Sequence, residues 1–479
     1  MMFLRPATVC VALAAAFPTL ASAASDADLK QLRQQLKELR DSYEQRIQAL
    51  ERRLADTESQ AASAVTRAVA ADQTATSAVQ SVAQVEARTV QAQAAADSAA
   101  RSPVAASAFN PSISLIIDGK FTRFQRDPSA YRIDGFIPSG GEVGPPRKGF
   151  SLGESELAIS ANIDHLFRGN ARFALAEDDG AGVVEVEEVN IETLSLPVGL
   201  KVKAGRFLSG VGYLNQQHPH EWDFSDAPLA YKAFFGYRLQ NDGLQVRWVA
   251  PTPLFLEFGA EMAGGEKYPG AERNRNGAGL WTAFAHLGGD IGASAAWQAG
   301  LSHVRANPRE RGFEDAGLAH AFTGRSQTWI ADFVYKWAPN GNSRDQSLKI
   351  QGEYFQRSEK GDLAYDVDGA ATDHAARFRQ SGSYLQAVYQ FMPRWRVGVR
   401  GDWLKSGTAR VADLTAGELP LVLAGHDPKR HTAMVDWSPS EYSRVRLQLA
   451  RDMSRDRETD NQVWLQYIMS LGAHGAHRF

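Results

Sequence analysis

The feature that most constrains the fold is an alternation of apolar and polar residues that recurs over most of the chain. In the last such segment Val463, Leu465 and Tyr467 alternate with Gln462 and Gln466. Side chains of a β-strand point alternately to opposite faces, so this pattern predicts strands with one apolar and one polar face. Sixteen such segments can be delimited, namely 112–124, 150–163, 169–177, 183–195, 199–208, 243–250, 253–263, 279–288, 291–305, 327–337, 347–358, 383–391, 395–404, 430–438, 442–452 and 461–471.

The connections between these segments fall into two length classes that alternate along the chain. Those after even-numbered segments are short and marked by Pro or Gly: 196–198, 251–252, 289–290, 392–393 and 438–440. Those after odd-numbered segments are mostly long: 125–149, 209–242, 306–326, 359–382 and 405–429. This asymmetry is typical of outer-membrane β-barrels, whereas the two ends of a soluble β-sandwich are not expected to differ in loop length. The sequence therefore predicts an all-β fold, a 16-stranded antiparallel transmembrane β-barrel over residues 109–479.

The last residue, Phe479, lies in phase with the apolar face of the sixteenth segment. The ending resembles the C-terminal strand of bacterial outer-membrane barrels, whose assembly machinery reads a terminal aromatic residue. The alternative for this segment alone is the terminal strand of a soluble sandwich.

The N-terminal part of the chain has a different character. Residues 1–23 have the apolar stretch and small-residue cleavage site of a secretory signal peptide, and the single cysteine, Cys10, lies within them. A mature chain without cysteine has no disulfide, thiol catalysis or thiolate metal site. Residues 24–60 predict an α-helical coiled coil that precedes the barrel, because apolar residues recur at three- and four-residue steps: Leu29, Leu32, Leu36, Leu39, Tyr43, Ile47, Leu50 and Leu54.

Residues 61–108 are Ala-rich and form a helical or linker segment in this interpretation. The whole region would be an oligomerising stalk in the periplasm with a possible periplasmic partner, and the alternatives are a solvated single helix or a disordered linker. The formal net charge of −3 does not favour a nucleic-acid binder.

If the apolar phase of each strand faces lipid, the other phase lines the lumen, because charged side chains are far more costly against lipid than in water. The basic residues assigned to the lumen are Lys201, Lys203, Arg247, Arg394, Arg396, Arg400, Arg444 and Arg446. The acidic candidates are Glu156, Glu185, Glu187, Glu257 and Glu261. Basic residues gathered on a few strands would enrich anions in the lumen. The alternative is that these charges only solvate the wall and pair with each other.

The long connection 209–242 is the third at its end of the barrel, the position of the loop that narrows general porins. Its candidate constriction residues are His218, His220, Glu221 and Asp223. Imidazole and carboxylate groups are ligands that zinc accepts, so His218 and His220 are candidate metal ligands. A polar constriction loop with incidental histidines is the alternative.

The chain resembles the phosphate-selective porin family, the outer-membrane porin O/P type of Gram-negative bacteria. The resemblance is carried by the runs 187–191 and 203–207, by Gly212 and Pro228, and by the terminal aromatic residue. It implies a trimeric, sixteen-stranded channel in which basic residues guide anions. The segment 153–159 departs from the family, because it contains two glutamates where the family commonly carries paired arginines.

These patterns predict an outer-membrane porin, a passive diffusion channel for small solutes that favours anions such as phosphate. The third loop, with His474 and His477, also resembles a porin branch associated with zinc supply, so a zinc-associated porin is an alternative. A structural barrel that anchors the stalk is another. The expected partners are outer-membrane lipid, small anions or other small solutes and two further copies in a homotrimer. No cofactor beyond transient zinc is expected. No nucleophile-base set at suggestive spacing points to an enzyme.

Overall fold

The computed structural model describes residues 111–472 except 141–142, 179–180 and 272–275, together with scattered positions between 34 and 56. The chain divides into two compact units, Met1–Ala106 and Ser107–Phe479. In the first unit the described positions, among them Arg40 and Glu44, are helical and exposed. The predicted signal peptide, the apolar positions of the coiled coil, the Ala-rich segment, His474, His477 and Phe479 lie outside the described residues.

The second unit is built almost entirely from one antiparallel sheet. Its strands are β1 (Ser112–Phe124), β2 (Gly149–Leu152), β3 (Ser155–Asn162), β4 (Phe167–Asp178), β5 (Ala181–Thr193), β6 (Leu200–Leu208), β7 (Gln240–Val249), β8 (Phe255–Ala263), β9 (Leu280–Ile291), β10 (Ala295–Ala306), β11 (Arg311–Asp315), β12 (Leu318–Trp337), β13 (Ser347–Tyr365), β14 (Thr372–Met392), β15 (Trp395–Val411), β16 (Lys429–Ser440), β17 (Ser443–Met453) and β18 (Asp460–Gly472).

The sheet closes on itself, because β1 pairs with β18 from Ser114↔Gly472 to Phe124↔Gln462. Strands β2 and β3 both pair with β1 and occupy one position in the barrel wall. Strands β10 and β11 both pair with β12 and occupy another. The barrel therefore has sixteen wall positions, and the predicted 16-stranded antiparallel barrel is confirmed.

The predicted sorting of the connections is also found, but three of the predicted long loops are shorter than expected. Turns at one end are short, as at 393–394 and 441–442, and we call this the short-turn end; the opposite end is the long-loop end. The segment predicted as the long loop 359–382 is mostly strand, because β13 continues to Tyr365 and β14 begins at Thr372. Strands β12 and β15 are extended likewise, so the predicted loops 306–326 and 405–429 are shorter than expected.

The extension has a physical cause that a fixed ten-residue window overlooks. Phe322, Leu363 and Phe378 of the extended strands are buried together with Leu419 and Val422 of the connection after β15. This apolar cluster covers the inner face of the sheet toward the long-loop end. Alternation therefore continues, and so does the ladder of backbone hydrogen bonds.

The outer face of the barrel is apolar over its middle zone. Val399 is 60% exposed, Trp329 50% and Leu449 51%, and all three point away from the lumen. Neighbouring positions of opposite parity, such as Arg400 and Gln448, are buried inside. Among the described residues, no helix is both long and apolar enough to cross a bilayer.

Candidate functional site

Residues 209–239, which we call the third loop, fold back into the barrel between β6 and β7. Their main element is the helix α1 (Leu229–Phe235), which ends at Gly236 in the left-handed conformation that favours glycine at a helix C-terminus. All seven residues of the helix are buried. The loop therefore fills space inside the wall instead of extending from its rim.

Glycine is required where the loop enters the barrel. Gly212 has φ +65°, and a Cβ there would lie 2.3 Å from Oε2 of Glu353 on β13. The Glu353 carboxylate accepts hydrogen bonds from the Leu214 backbone N–H at 2.9 Å and from the Tyr231 hydroxyl at 2.9 Å. The bare backbone at Gly212 thus lets the loop approach this carboxylate closely.

Apolar packing holds α1 against the wall. The Phe234 ring stacks on Phe355 with ring centroids 5.7 Å apart, and Tyr231 meets the same ring edge-on at 5.2 Å. Ile330 and Leu404 complete the buried contact. Burial of this apolar surface stabilises the docked loop.

Asp223 anchors the loop to a basic part of the wall. Its carboxylate lies 3.0 Å from Lys349 Nζ and 3.0 Å from an Arg396 guanidinium nitrogen. Burial alone would raise the pKa of Asp223, but the charges of Lys349 and Arg396 outweigh it and hold the pKa below the ordinary value. Asp223 is therefore a carboxylate at neutral pH.

Asp226 is the second acidic anchor and is surrounded by three cations. It accepts from Arg400 at 3.1 Å, pairs with Arg430 on β16, and lies 3.8 Å from Lys232 Nζ. Burial alone would raise the pKa of Asp226, but the charges of the two arginines outweigh it and hold the pKa below the ordinary value. Burial lowers the pKa of Lys232 to about 8, although Asp226 opposes this shift.

Two further arginines bind the backbone of the loop. Arg444 donates to the His220 carbonyl at 2.5 Å, and Arg446 donates to the Trp222 carbonyl at 2.9 Å. Arg446 is fully buried and is neutralised by Asp436 at 2.8 Å. Arg446 can bind a backbone carbonyl and a carboxylate at once because the planar guanidinium group offers five N–H donors.

The opposite side of the wall is acidic and holds the basic part of the loop. The His218 Nδ1 atom lies 2.9 Å from Glu156 on β3 and 3.1 Å from Glu187 on β5, and its Nε2 atom lies 3.7 Å from Glu188. Burial alone would lower the pKa of His218, but these carboxylates outweigh it and raise the pKa well above the ordinary value. We call Glu156, Glu187, Glu188, His218 and His220 the glutamate–histidine cluster.

Arginines complete the charge balance around this cluster. Arg238 donates to Glu154 at 2.5 Å and also binds Glu187. Arg172 donates to Glu156 at 2.8 Å. The loop thus presents acidic groups to the basic wall and basic groups to the acidic wall, and this complementarity fixes its orientation across the lumen.

The glutamate–histidine cluster has a donor set that could hold a metal ion. One ligand atom from each of Glu156, Glu187 and His218 lies within 4.8 Å of the others. His220 Nδ1 lies 3.5 Å from Glu156, whereas Glu221 accepts from the His218 backbone N–H at 3.0 Å, within the loop. A metal would have to displace the proton of His218, because metal-bound imidazole is neutral at the ligating nitrogen.

The structure brings five of the predicted lumen arginines to the third loop and leaves the other predicted basic residues apart from it. Arg396, Arg400, Arg444 and Arg446 contact it directly, as does Arg247, which donates to Gln216 at 3.2 Å and to Glu257 at 2.7 Å.

Lys201 and Lys203 lie on the inward face of β6, opposite Arg247 and Gln245. Arg394, in contrast, is exposed in the two-residue turn after β14, with φ +71°, and does not lie on a strand. The predicted acidic lumen residues also differ in whether they contact the third loop. Glu261 accepts a hydrogen bond from the Gly210 backbone N–H at 2.7 Å, whereas Glu185 is exposed.

Four residues that hold the loop were not predicted: Asp226, Lys232, Arg238 and Arg430. Arg430 follows the inward parity of β16 and could have been found from alternation alone. The three loop residues have no periodic pattern to mark them. Their roles depend on wall partners far away in sequence.

The lumen face near the short-turn end carries basic groups that are not fully buried. Eight basic residues at inward positions there are exposed or half-buried, namely Arg168, Lys201, Lys203, Arg247, Lys336, Lys349, Arg396 and Arg444. Acidic residues that are exposed or half-buried at inward positions there are fewer, Glu192 and Asp290 among them. The buried carboxylates Glu257 and Asp223 pair with Arg247, Lys349 and Arg396. We call this part of the lumen the basic vestibule.

Among solved structures, the chain is similar to the anion-selective porin from Comamonas acidovorans, with 12% identity, a TM-score of 0.44, and coverage of 76% of this chain and 99% of that one. It is also similar to the outer membrane channel DcaP of Acinetobacter baumannii, with 12% identity, a TM-score of 0.47, and coverage of 76% and 97%. No family model matches the sequence.

A relative of closer sequence is an uncharacterized protein of Aquifex aeolicus (strain VF5). It is 31% identical over 407 residues, which cover 79% of this chain and 82% of the relative. The chain belongs to the same family as this Aquifex aeolicus protein.

Proposed function

We propose that this chain is an outer-membrane channel in which the docked third loop forms the constriction and the basic vestibule favours small anions. The observation that carries the proposal is the opposite character of the two faces of the wall. Exposed apolar side chains such as Val399 and Trp329 point outward, whereas charged side chains such as Arg400 point inward. A closed barrel of this kind satisfies its backbone hydrogen bonds within a bilayer.

The basic vestibule supports anion preference. Fixed positive charge within a water-filled entrance raises the local concentration of anions and lowers that of cations. Lys201 is the most direct test because it is exposed at an inward position, two residues beyond the short turn 197–199. Phosphate is one candidate among small anions.

The test is the reversal potential of the purified protein in planar bilayers under a KCl gradient. We expect anion preference for the wild type and a shift toward cations for Lys201→Glu. Lys405→Glu is the matched control, because Lys405 is exposed at an outward position of β15. Cation preference of the wild type, or equal shifts for both variants, would contradict the proposal. A repeat in phosphate salts tests the phosphate expectation.

We also propose a homotrimer, with β1–β5 at its centre. Phe150 of β2 is 80% exposed and Val184 of β5 is 66% exposed, and both are near the long-loop end of this part of the wall. Large apolar groups this exposed on one side favour a protein contact. Phe150→Arg should dissociate the trimer in native gels, whereas Gln327→Arg on the far side of the barrel should not. A monomeric wild type would contradict this part.

The glutamate–histidine cluster favours a second candidate function, transient zinc contact during metal uptake. Its support is the close approach of ligand atoms from Glu156, Glu187 and His218. Calorimetry with zinc should show binding that weakens as the pH falls, and the double variant His218→Ala/His220→Ala should abolish it. His426→Ala, on the connection after β15, is the control. Equal heats for wild type and the double variant would rule out this function.

The periplasmic stalk remains a proposal based on the sequence of residues 24–108. If the barrel mainly anchors that stalk, deletion of these residues should change the cell-envelope phenotype and leave conductance unchanged. An unchanged phenotype would argue against an anchoring role.

A further inference from the structure

Four basic residues form a row across the outer face of the barrel near the long-loop end. Arg325 of β12 is directly opposite Lys360 of β13, Lys360 is opposite Arg377 of β14, and Arg377 is opposite Arg410 of β15. All four side chains are exposed. We call these residues the outer basic row.

The row is unfavourable by itself. Directly opposed side chains in an antiparallel sheet have Cβ atoms about 5 Å apart, and like charges in such pairs destabilise the sheet. Within the part of the chain that the structure describes, none of the four side chains makes a hydrogen bond or an ion pair. The three consecutive like-charged pairs therefore have no ion-pair partner within the sheet.

The row also lines a concave surface. An open depression of about 1230 Å³ is bordered by Arg325, Lys360, Arg377 and Arg410, together with Arg309. Asp362 is the acidic residue of this lining, and most other lining residues are small, which leaves room for a ligand. The sheet bends here at a β-bulge between Arg379/Thr408 and Ser381/Lys405, where Gly407 has φ +58°.

The height of the row identifies the kind of ligand. Trp329 is the last large apolar side chain on the outer face of β12 toward the long-loop end, where Gln327 and Arg325 follow at the next outward positions. A tryptophan at the edge of the apolar zone is typical of the membrane interface. Arg325 is four residues closer to the long-loop end, which corresponds to about 13 Å along the strand and about 10 Å along the barrel axis at a tilt of roughly 40°. Phospholipid headgroups add only about 5–7 Å to each side of the hydrocarbon core, so the row lies beyond them.

We propose that the outer basic row binds the phosphorylated sugars of an outer-leaflet glycolipid, with its phosphate groups as counter-charges. Guanidinium groups bind phosphate oxygens in a bidentate manner, and four adjacent cations suit a ligand with several phosphates. The acyl chains of such a lipid would lie on the apolar outer face below the row, next to Trp329 and Trp403. The inference rests on the proposed outer-membrane location and is independent of solute selectivity.

The test uses the full-length protein in phosphatidylcholine nanodiscs that contain lipopolysaccharide with phosphorylated lipid A and inner-core sugars. Native mass spectrometry measures the bound glycolipid. We expect the variant Arg325→Gln/Lys360→Gln/Arg377→Gln/Arg410→Gln to lose affinity at least about tenfold. The matched control removes four exposed outward charges that are not opposed to one another, with Gln at each of Arg123, Lys405, Lys429 and Arg451, and should lose less than about threefold.

A second measurement distinguishes binding from folding. In detergent without anionic lipid, Lys360→Gln should raise the melting temperature slightly, because it removes two like-charge contacts. With the glycolipid present, the same substitution should lower it. If Lys360 had only a structural role, Lys360→Gln would change the melting temperature in the same direction with and without the glycolipid. This result would overturn the proposal.

Three other outcomes would also overturn it. If the quadruple variant of the outer basic row bound the glycolipid as tightly as the wild type, the row would be excluded as the binding site. If both quadruple variants lost the same affinity, the glycolipid would be held only by unspecific attraction to positive charge. Equally tight binding of inorganic pyrophosphate would indicate a soluble anion as the ligand. Conductance is measured in parallel, so that normal channels without glycolipid binding refute this inference while leaving the proposed function intact.

Discussion

Replacement of Asp226 by Asn tests whether buried charge holds the third loop in the lumen. The Asp226 carboxylate is 6% exposed and faces Arg400, Arg430 and Lys232. The substitution keeps the shape of the side chain and removes its charge. Three buried cations then lose a shared counter-charge.

The expected cost follows from the partners that remain. Removal of one member of a buried ion pair typically costs about 3–5 kcal/mol. Arg400 retains Asp402 at 2.9 Å and Arg430 retains Asp452 at 3.7 Å, so the lower end applies. A loss of about 3 kcal/mol in docking free energy increases the undocked population of the loop by roughly a hundredfold.

The assay is the frequency of large-conductance openings in single-channel recordings, together with limited proteolysis of the third loop. Asp242→Asn is the matched control, because Asp242 pairs with Arg206 in a partly exposed position with side-chain exposures of 52% and 33%. An exposed pair contributes only about 0–1 kcal/mol. Equal rates of opening and of cleavage for the two variants would show that the buried charge of Asp226 does not hold the third loop in the lumen.

Two further substitutions test the interior of the third loop. Lys232 has a pKa of about 8 in the folded protein, below its ordinary value of 10.5. Between about pH 8 and pH 10.5 the unfolded chain therefore binds more protons than the folded protein. The free energy of unfolding should rise with pH across that window by about 3 kcal/mol. Lys232→Met should remove this rise in denaturation midpoints, and an unchanged slope would contradict the assignment. Phe234→Ala should cost about 3–5 kcal/mol, because Phe234 is fully buried against Phe355. Trp329→Ala on the outer face is the control. Equal losses in the denaturation midpoint for the two variants would show that the buried packing of α1 stabilises the protein no more than an exposed contact does.

The barrel could be predicted from the sequence because its signal is local. Alternation over ten residues identifies a strand and assigns each side chain to a face, and Arg396, Arg400 and Arg446 were placed inside by parity alone. The same rule failed for Arg394, since parity has no meaning in a two-residue turn. It also ended β13 too early, because the apolar cluster around Leu363 continues the sheet toward the long-loop end.

The function of the lumen charges could not be predicted, because each depends on contacts distant in sequence. Arg446 contacts Trp222 across 224 positions, and Arg430 contacts Asp226 across 204. The sequence predicts Arg396, Arg400, Arg444 and Arg446 only as lumen charges, which either favour anions or pair with each other. In the structure all four bind the third loop. The acidic segment around Glu156, a departure from the phosphate-selective porins, has its physical reason in the partner His218.

The third loop joins opposite sides of the wall, and this has a consequence for the order of assembly. Its anchors lie on β3–β5, which precede it in the chain, and on β13–β17, which follow it by more than a hundred residues. The loop cannot reach its final contacts until the late strands have added to the sheet, since half of its binding surface does not exist before then. Protection of the loop from protease should therefore appear only when β17 and β18 join β1, which makes the loop an internal reporter of barrel closure.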